Sequence, residues 1–228
     1  MGPDEEAREI SQKIRLSEHR DSLELVTRWA TRADDLLQSL NEYRPVIVQF
    51  SGHDNNTEEI LLQDASRAPQ AVSKAALKQL FSTCKDNIRV VVLNACYSRP
   101  QAEAITEVID CAIGMKKSIS DDAARTFAAS FYRAIGFGRS VKEAFEQGKA
   151  ALMLEGIPEA QTPDLPVRAG VDPAEVILAA HNREVVESEV DSSAATSAAV
   201  AQLAELGWTV SLATTTFCSR WQIEHCRR

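Results

Sequence analysis

Two nearly unbroken apolar runs, PVIVQF at residues 45–50 and IRVVVLN at residues 88–94, constrain this chain more than any other feature. A strand with one wet face alternates apolar and polar residues. These runs do not, so each must be covered on both faces. The stretches around them carry helical spacing, and extended and helical patterns alternate along the chain. That alternation predicts an α/β domain in which a mostly parallel sheet is covered by helices. With 228 residues and 44% hydrophobic content, the chain can bury one substantial core, so one main domain is expected.

Helices are expected over residues 4–20, where Ala7, Ile10 and Ile14 recur at three and four, from Thr31 or Arg32 to before Pro45, and over 72–85. Further helices are expected over about 100–108, 121–135 and 140–154, the last with Ser140 as N-cap ahead of Glu143. Short strands are expected at 23–29, at 60–63 within a hairpin, and in the run DCAIGM. Past residue 156, Pro158, Pro163, Pro166 and Pro173 interrupt any long element and mark a domain edge. Residues 185–201 are rich in Glu, Ser, Ala and Thr and read as a linker or a loosely held helix. The final 23 residues turn apolar again, yet are too few for a core of their own. On this reading residues 1–178 form the domain, 179–228 a linker and C-terminal extension, and the part after about 185 is removable.

The net charge of −8 and pI near 5.1 argue against a nucleic-acid or membrane-surface binder, which needs a basic face. Five scattered cysteines and an acidic N-terminus fit a reducing cytoplasm, and no run of about 18 to 20 apolar residues is present to span a bilayer. Cys218, His225 and Cys226 lack a fourth ligand at zinc spacing, so no metal is expected. The Gly136-Phe137-Gly138 turn joins two helices and reads as a cap rather than a phosphate cradle. Neither a Gly-rich βα turn nor a receiver-type acidic cluster supports a nucleotide-binding or signalling domain, and no cofactor is expected.

The reactive residue types gather where the two strongest strands end: VIVQF runs into Ser51-Gly52-His53, and VVVLN into Ala95-Cys96-Tyr97. In open parallel sheets the working site lies beyond the carboxyl ends of the strands. Neighbouring strands therefore bring an imidazole beside a thiol, the pairing that makes a nucleophile of cysteine. Each residue alone has a plainer reading: Cys96 as a small buried hydrophobe, His53 as a turn cap.

The succession PVIVQFSGH, VSKAALKQLF, IRVVVLNACYS, QAEAI, CAIGM, ISDDAARTFAASFYRAIGFGRSVKEAF and TPDL resembles the CHAT family of caspase-like cysteine peptidases, over about residues 5–178. The resemblance implies a three-layer caspase-like sandwich with helices on both faces of the sheet. It also implies Cys96 as nucleophile, His53 as base, and an oxyanion site made by the backbone N–H groups of Cys96 and Asp54. A protein or peptide would be the substrate, in bacterial defence or programmed death, with room for a regulatory partner protein. Asp121, in the loop after CAIGM, would bind a basic residue before the scissile bond; it reads equally well as a residue favouring a helix start. Two departures stand out. Asp54 replaces the family's glycine after the histidine, and the apolar strand that family members carry before the first helix has no counterpart ahead of Asp4-Glu5-Glu6. They motivate the alternative of a degenerate domain that binds peptide without cleaving it.

Overall fold

The computed structural model describes residues 3–28, 32–51, 60–64, 66, 68–179 and 215–219. In chain order these form α1 (Pro3–Arg15), a single 3-10 turn, β1 (Leu23–Thr27), α2 (Ala33–Tyr43), β2 (Ile47–Ser51), β3 (Ile60–Gln63), β4 (Pro69–Val72) and α3 (Lys74–Cys84). Then follow β5 (Val90–Asn94), α4 (Arg99–Ile105), β6 (Cys111–Met115), α5 (Asp121–Gly136), α6 (Val141–Leu154), β7 (Pro163–Asp164) and β8 (Thr215–Ser219). The main sheet has the order β1-β8-β2-β5-β6-β7 and is parallel except for β7; β3 and β4 make a separate antiparallel hairpin.

The two apolar runs sit where their composition requires, as the adjacent strands β2 and β5, every residue of which is buried. Because side chains alternate across a strand, each run serves both cores. Ile47, Val90, Val92, Cys111, Ile113 and Met115 face a cluster built with α1, α5 and α6. Val48, Phe50, Val91, Leu93 and Ala112 face a second, filled by Leu36 and Leu40 of α2, Leu77 and Phe81 of α3, and Ala102 and Ile105 of α4. Helices thus cover both faces, giving the three-layer α/β sandwich.

Local signals set the helix ends. Ser140 and Glu143 form the anticipated capping box, the Ser140 hydroxyl accepting from the Glu143 N–H at 3.3 Å while the Glu143 carboxylate accepts from the Ser140 N–H at 3.0 Å. Helix α1 stops five residues short of the predicted end, because the Ser17 hydroxyl takes the Ile14 carbonyl at 2.6 Å. Likewise α3 starts at Lys74 rather than 72, since Ser73 caps it and Val72 belongs to β4. At the domain edge, Asp110 pairs with Arg89 and Arg168 and ties the segment after β7 to β6. Burial would raise the Asp110 carboxyl, but the hydrogen bonds from Arg168 and Arg89 outweigh it and hold the group below its ordinary range.

Strand β8 comes from the C-terminal extension. It pairs in parallel with all five residues of β1 on one side and with Ile47–Gln49 of β2 on the other. Among the described residues β1 reaches the main sheet only through β8. β8 thus lies between β1 and β2 in the main sheet, and this placement puts the dispensability of the extension to the test. Truncation after residue 185 is expected to lower the Tm by more than about 4 °C, the shift that about 1 kcal/mol produces in a chain of this size. An unchanged melting curve would show that these ladders contribute nothing in solution.

Candidate active site

The chain leaves β5 at Asn94 and turns sharply into α4, and the turn places Cys96 on its crest. Tyr97 adopts φ of +53°, the left-handed region that a non-glycine residue enters only where its surroundings enforce it. The enforcement is visible. The buried Ser98 hydroxyl donates to the Leu93 carbonyl at 2.9 Å and accepts from the Met115 N–H at 3.0 Å, while the Tyr97 N–H donates to the Lys117 carbonyl at 3.3 Å. A side chain at Gly114 of β6 would come within 2.9 Å of the Ser98 carbonyl oxygen, Arg99 Cα and Ala102 Cβ. The first turn of α4 can lie against β6 only because residue 114 lacks a Cβ.

Cys96 is half-buried. Its sulfur lies 3.3 Å from the Ser118 hydroxyl, accepts from the Ile119 N–H at 3.4 Å, and as a thiol can donate to the Ile119 carbonyl at 3.7 Å. A sulfur anion at this position has two donors, the Ile119 N–H and the Ser118 O–H, already beside it. Cys111 differs in every respect: it is fully buried in β6, and burial first, then the Asp110 charge, push its thiol up to about 12. Such a thiol is inert. Cys84 is half-buried beside the second core cluster. Of Cys84, Cys96 and Cys111, only Cys96 combines partial exposure with a strand end and converging donors.

The neighbouring strand is held in matching register, Ser51 of β2 opposite Asn94 of β5. Residues 53 and 96 therefore each follow a member of one cross-strand pair by two positions. His53 and Asp54 lie outside the described residues, as do His225 and Cys226. Asp121 is exposed in the first turn of α5, two residues beyond Ile119, and Ser120 caps that helix by accepting from the Ala123 N–H at 3.3 Å. Of the two lysines before it, Lys116 is bound to Asp164 at 3.0 Å, alongside Arg99 at 2.9 Å. Asp122 pairs instead with Arg125 at 2.7 Å.

Ser118, Ile119, Ser98 and Gly114 were not singled out by the sequence reading. Ser118 and Ile119 touch the sulfur only because the β6 strand end folds back over the β5 turn, a tertiary relation with no short-range pattern. The glycine of CAIGM was visible as a break in an apolar strand, a signal of close backbone approach.

No protein-family model matches the chain. A Roc-COR-CHAT protease from a prokaryote of unknown identity is 25% identical over 144 residues, covering 60% of this chain and 14% of that protein. A probable protease of Gillisia limnaea is 26% identical over 131 residues, covering 57% of this chain and 23% of that protein. The chain thus spans less than a quarter of the length of either curated relative. The similarities are consistent with a CHAT-domain protease family. No helix among the described residues is long and apolar enough to cross a membrane.

The packing at residue 114 makes the turn sensitive to a single methyl group. Gly114→Ala is expected to cost about 1–3 kcal/mol, the usual penalty of overpacking, and to slow alkylation of Cys96 while leaving Cys84 alkylation unchanged. Peptide mapping after iodoacetamide treatment reads both; equal rates at Cys96 in the two proteins would show that the turn absorbs the methyl without moving.

Proposed function

We propose that this chain is a cysteine endopeptidase in which Cys96 is the nucleophile and His53 its base. The observation that carries the reading is the strand-end arrangement: a half-exposed thiol on a left-handed turn, with Ile119 and Ser118 donors beside it, next to the strand that runs through Ser51 toward His53. Adjacent strands lie about 4.8 Å apart, a spacing that brings side chains two residues past a matched pair within reach of one another. The protease names of the two relatives support the same reading at the level of peptide hydrolysis.

In the proposed reaction His53 takes the thiol proton, and the sulfur attacks the scissile carbonyl carbon to form a C–S bond. The carbonyl oxygen gains the negative charge and is held by the backbone N–H groups of Cys96 and Asp54. Collapse breaks the C–N bond, His53 protonates the departing amine, and a thioester remains on Cys96. Water, deprotonated by His53, then releases the acid and restores the thiol. No cofactor takes part. The reading implies protein substrates in the cytoplasm and, by resemblance, a place in bacterial defence or programmed death under a regulatory partner protein.

Asp54 favours a second reading. An aspartate follows His53 where the family has a glycine, and by that resemblance a carboxylate would come near the oxyanion, where like charge opposes the transition state. A domain so altered would hold a peptide in the groove without cutting it.

Cys96→Ala and His53→Ala are each expected to abolish cleavage of a denatured protein substrate, with no further loss in the double variant because the two act as a unit. Wild-type cleavage by Cys96→Ala would sink the peptidase reading, whereas binding without turnover in the unmodified protein would favour the second. For specificity, Asp121 in the first turn of α5, just past the loop after β6, is assigned to a cationic side chain before the scissile bond. On peptides differing only there, the unmodified protein is expected to prefer Arg and Lys, and Asp121→Ala to lose that preference. Equal cleavage after Arg, Leu and Asp, or an unaltered preference in the variant, would remove Asp121 from the pocket.

A further inference from the structure

Three polar side chains interrupt the apolar strands β2 and β5 on the face covered by α1 and α5: Gln49, Ser51 and Asn94, exposed by only 2%, 4% and 4%. All three converge on one atom of a distant residue. Glu6 Oε1, in α1, accepts from the Ser51 hydroxyl at 2.8 Å, from the Asn94 amide at 3.0 Å and from the Gln49 amide. The second hydrogen of the Gln49 amide goes to Ser51 Oγ at 2.8 Å, and that of Asn94 to the Ala124 carbonyl at 3.2 Å. Every donor of the trio is thereby used. A carboxylate only accepts, so it forces both amides to turn their NH2 groups inward. Their carbonyl oxygens, Gln49 Oε1 and Asn94 Oδ1, have no hydrogen-bond partner among the described residues.

We propose that Glu6 is a positioning residue for the Cys96–His53 pair, an inference that rests on the peptidase reading above. Ser51 and Asn94 form the last matched pair of the β2–β5 ladder, and residues 53 and 96 follow them by two positions. That pair is the last of the described ladder on the way to the two site positions. The Glu6 carboxylate clamps both strand ends at that point through charge-assisted hydrogen bonds, the strong kind. Two residues of chain span at most about 7 Å, so a loosened anchor is passed on to the reactive atoms.

Docking of α1 does not depend on this clamp. Ile10 and Ile14 bury the helix in the core, and Arg125 of α5 holds Glu5 at 3.1 Å and Glu9 at 3.4 Å. Apolar residues at 49, 51 and 94 would satisfy the core at lower desolvation cost. Buried polar groups that break the local pattern of a strand are most often found where a site must be held.

The test compares full-length Glu6→Ala and Glu6→Gln with Glu9→Ala, which removes a carboxylate from the same helix. Peptide turnover, backbone amide exchange and melting are measured on each. Misplacement by about 1 Å can cost on the order of 100-fold in rate. Glu6→Ala is accordingly expected to lower kcat by about 10- to 100-fold with KM little changed, and to speed exchange at residues 49–51 and 94–97 but not at 111–115. Glu6→Gln, which keeps an acceptor oxygen without the charge, should fall between Glu6→Ala and wild type and carries the test if the alanine variant fails to fold. Glu9→Ala should keep its kcat. A kcat within about twofold of wild type in Glu6→Ala, the same loss in Glu9→Ala, or faster exchange throughout the sheet would each overturn the proposal, the last two reducing Glu6 to a structural contact. If the unmodified protein cleaves nothing, the peptidase reading falls, and exchange alone decides whether Glu6 holds the two strand ends.

Discussion

The parallel ladder between β2 and β5 is the constraint on which the rest of the structure depends. All ten of its residues are buried, so neither strand can exist without helices on both faces, and the register from Ile47↔Val90 to Ser51↔Asn94 fixes where each strand ends. A one-residue slip of β2 against β5 would turn Gln49 and Ser51 into the cluster of Phe81 and Leu77 with no carboxylate to meet them. The apolar cores and the Glu6 contacts therefore specify the same register. That agreement is what gives the strand ends fixed positions for chemistry.

Cys96 and Cys111 differ in where they stand on their strands. Cys111 begins β6, at the end of the sheet away from the turn, and its thiol is surrounded by core and by the Asp110 charge. Cys96 follows β5 by two residues and meets polar donors on a turn pinned by Ser98 and by the backbone contact at Gly114. Both cysteines adjoin apolar strands of similar composition. Chain direction decides between them, since in a parallel sheet all working loops fall at the carboxyl ends.

Features carried by short-range physics were legible in the sequence: the apolar runs 45–50 and 88–94 as buried strands, the Ser140–Glu143 cap, and the place of Cys96 at a strand end. Features carried by distant contacts were not. The left-handed conformation of Tyr97 follows from bonds to Lys117 and from the Ser98 clamp, none of which a local pattern encodes. Gln49, Ser51 and Asn94 could have been noticed as polar interruptions of apolar strands, but their common partner lies 43 to 88 residues away. The strand at 215–219 was passed over because Thr-Thr-Thr-Phe-Cys-Ser-Arg carries only weak alternation. It pairs with β1 and β2, partners distant in sequence that no local pattern announces.

The end of β2 nearest the site is held from two directions. β5 accompanies the strand along its whole length, and their ladder reaches Ser51 opposite Asn94. From the helical layer, Glu6 accepts from the Ser51 hydroxyl and from the Asn94 amide, so the same cross-strand pair is tied a second time through its side chains. Strand ends are where a sheet most readily opens, and a buried carboxylate shared by both members of one pair opposes that opening. Support for the strand ends therefore comes from helix α1 as well as from the sheet.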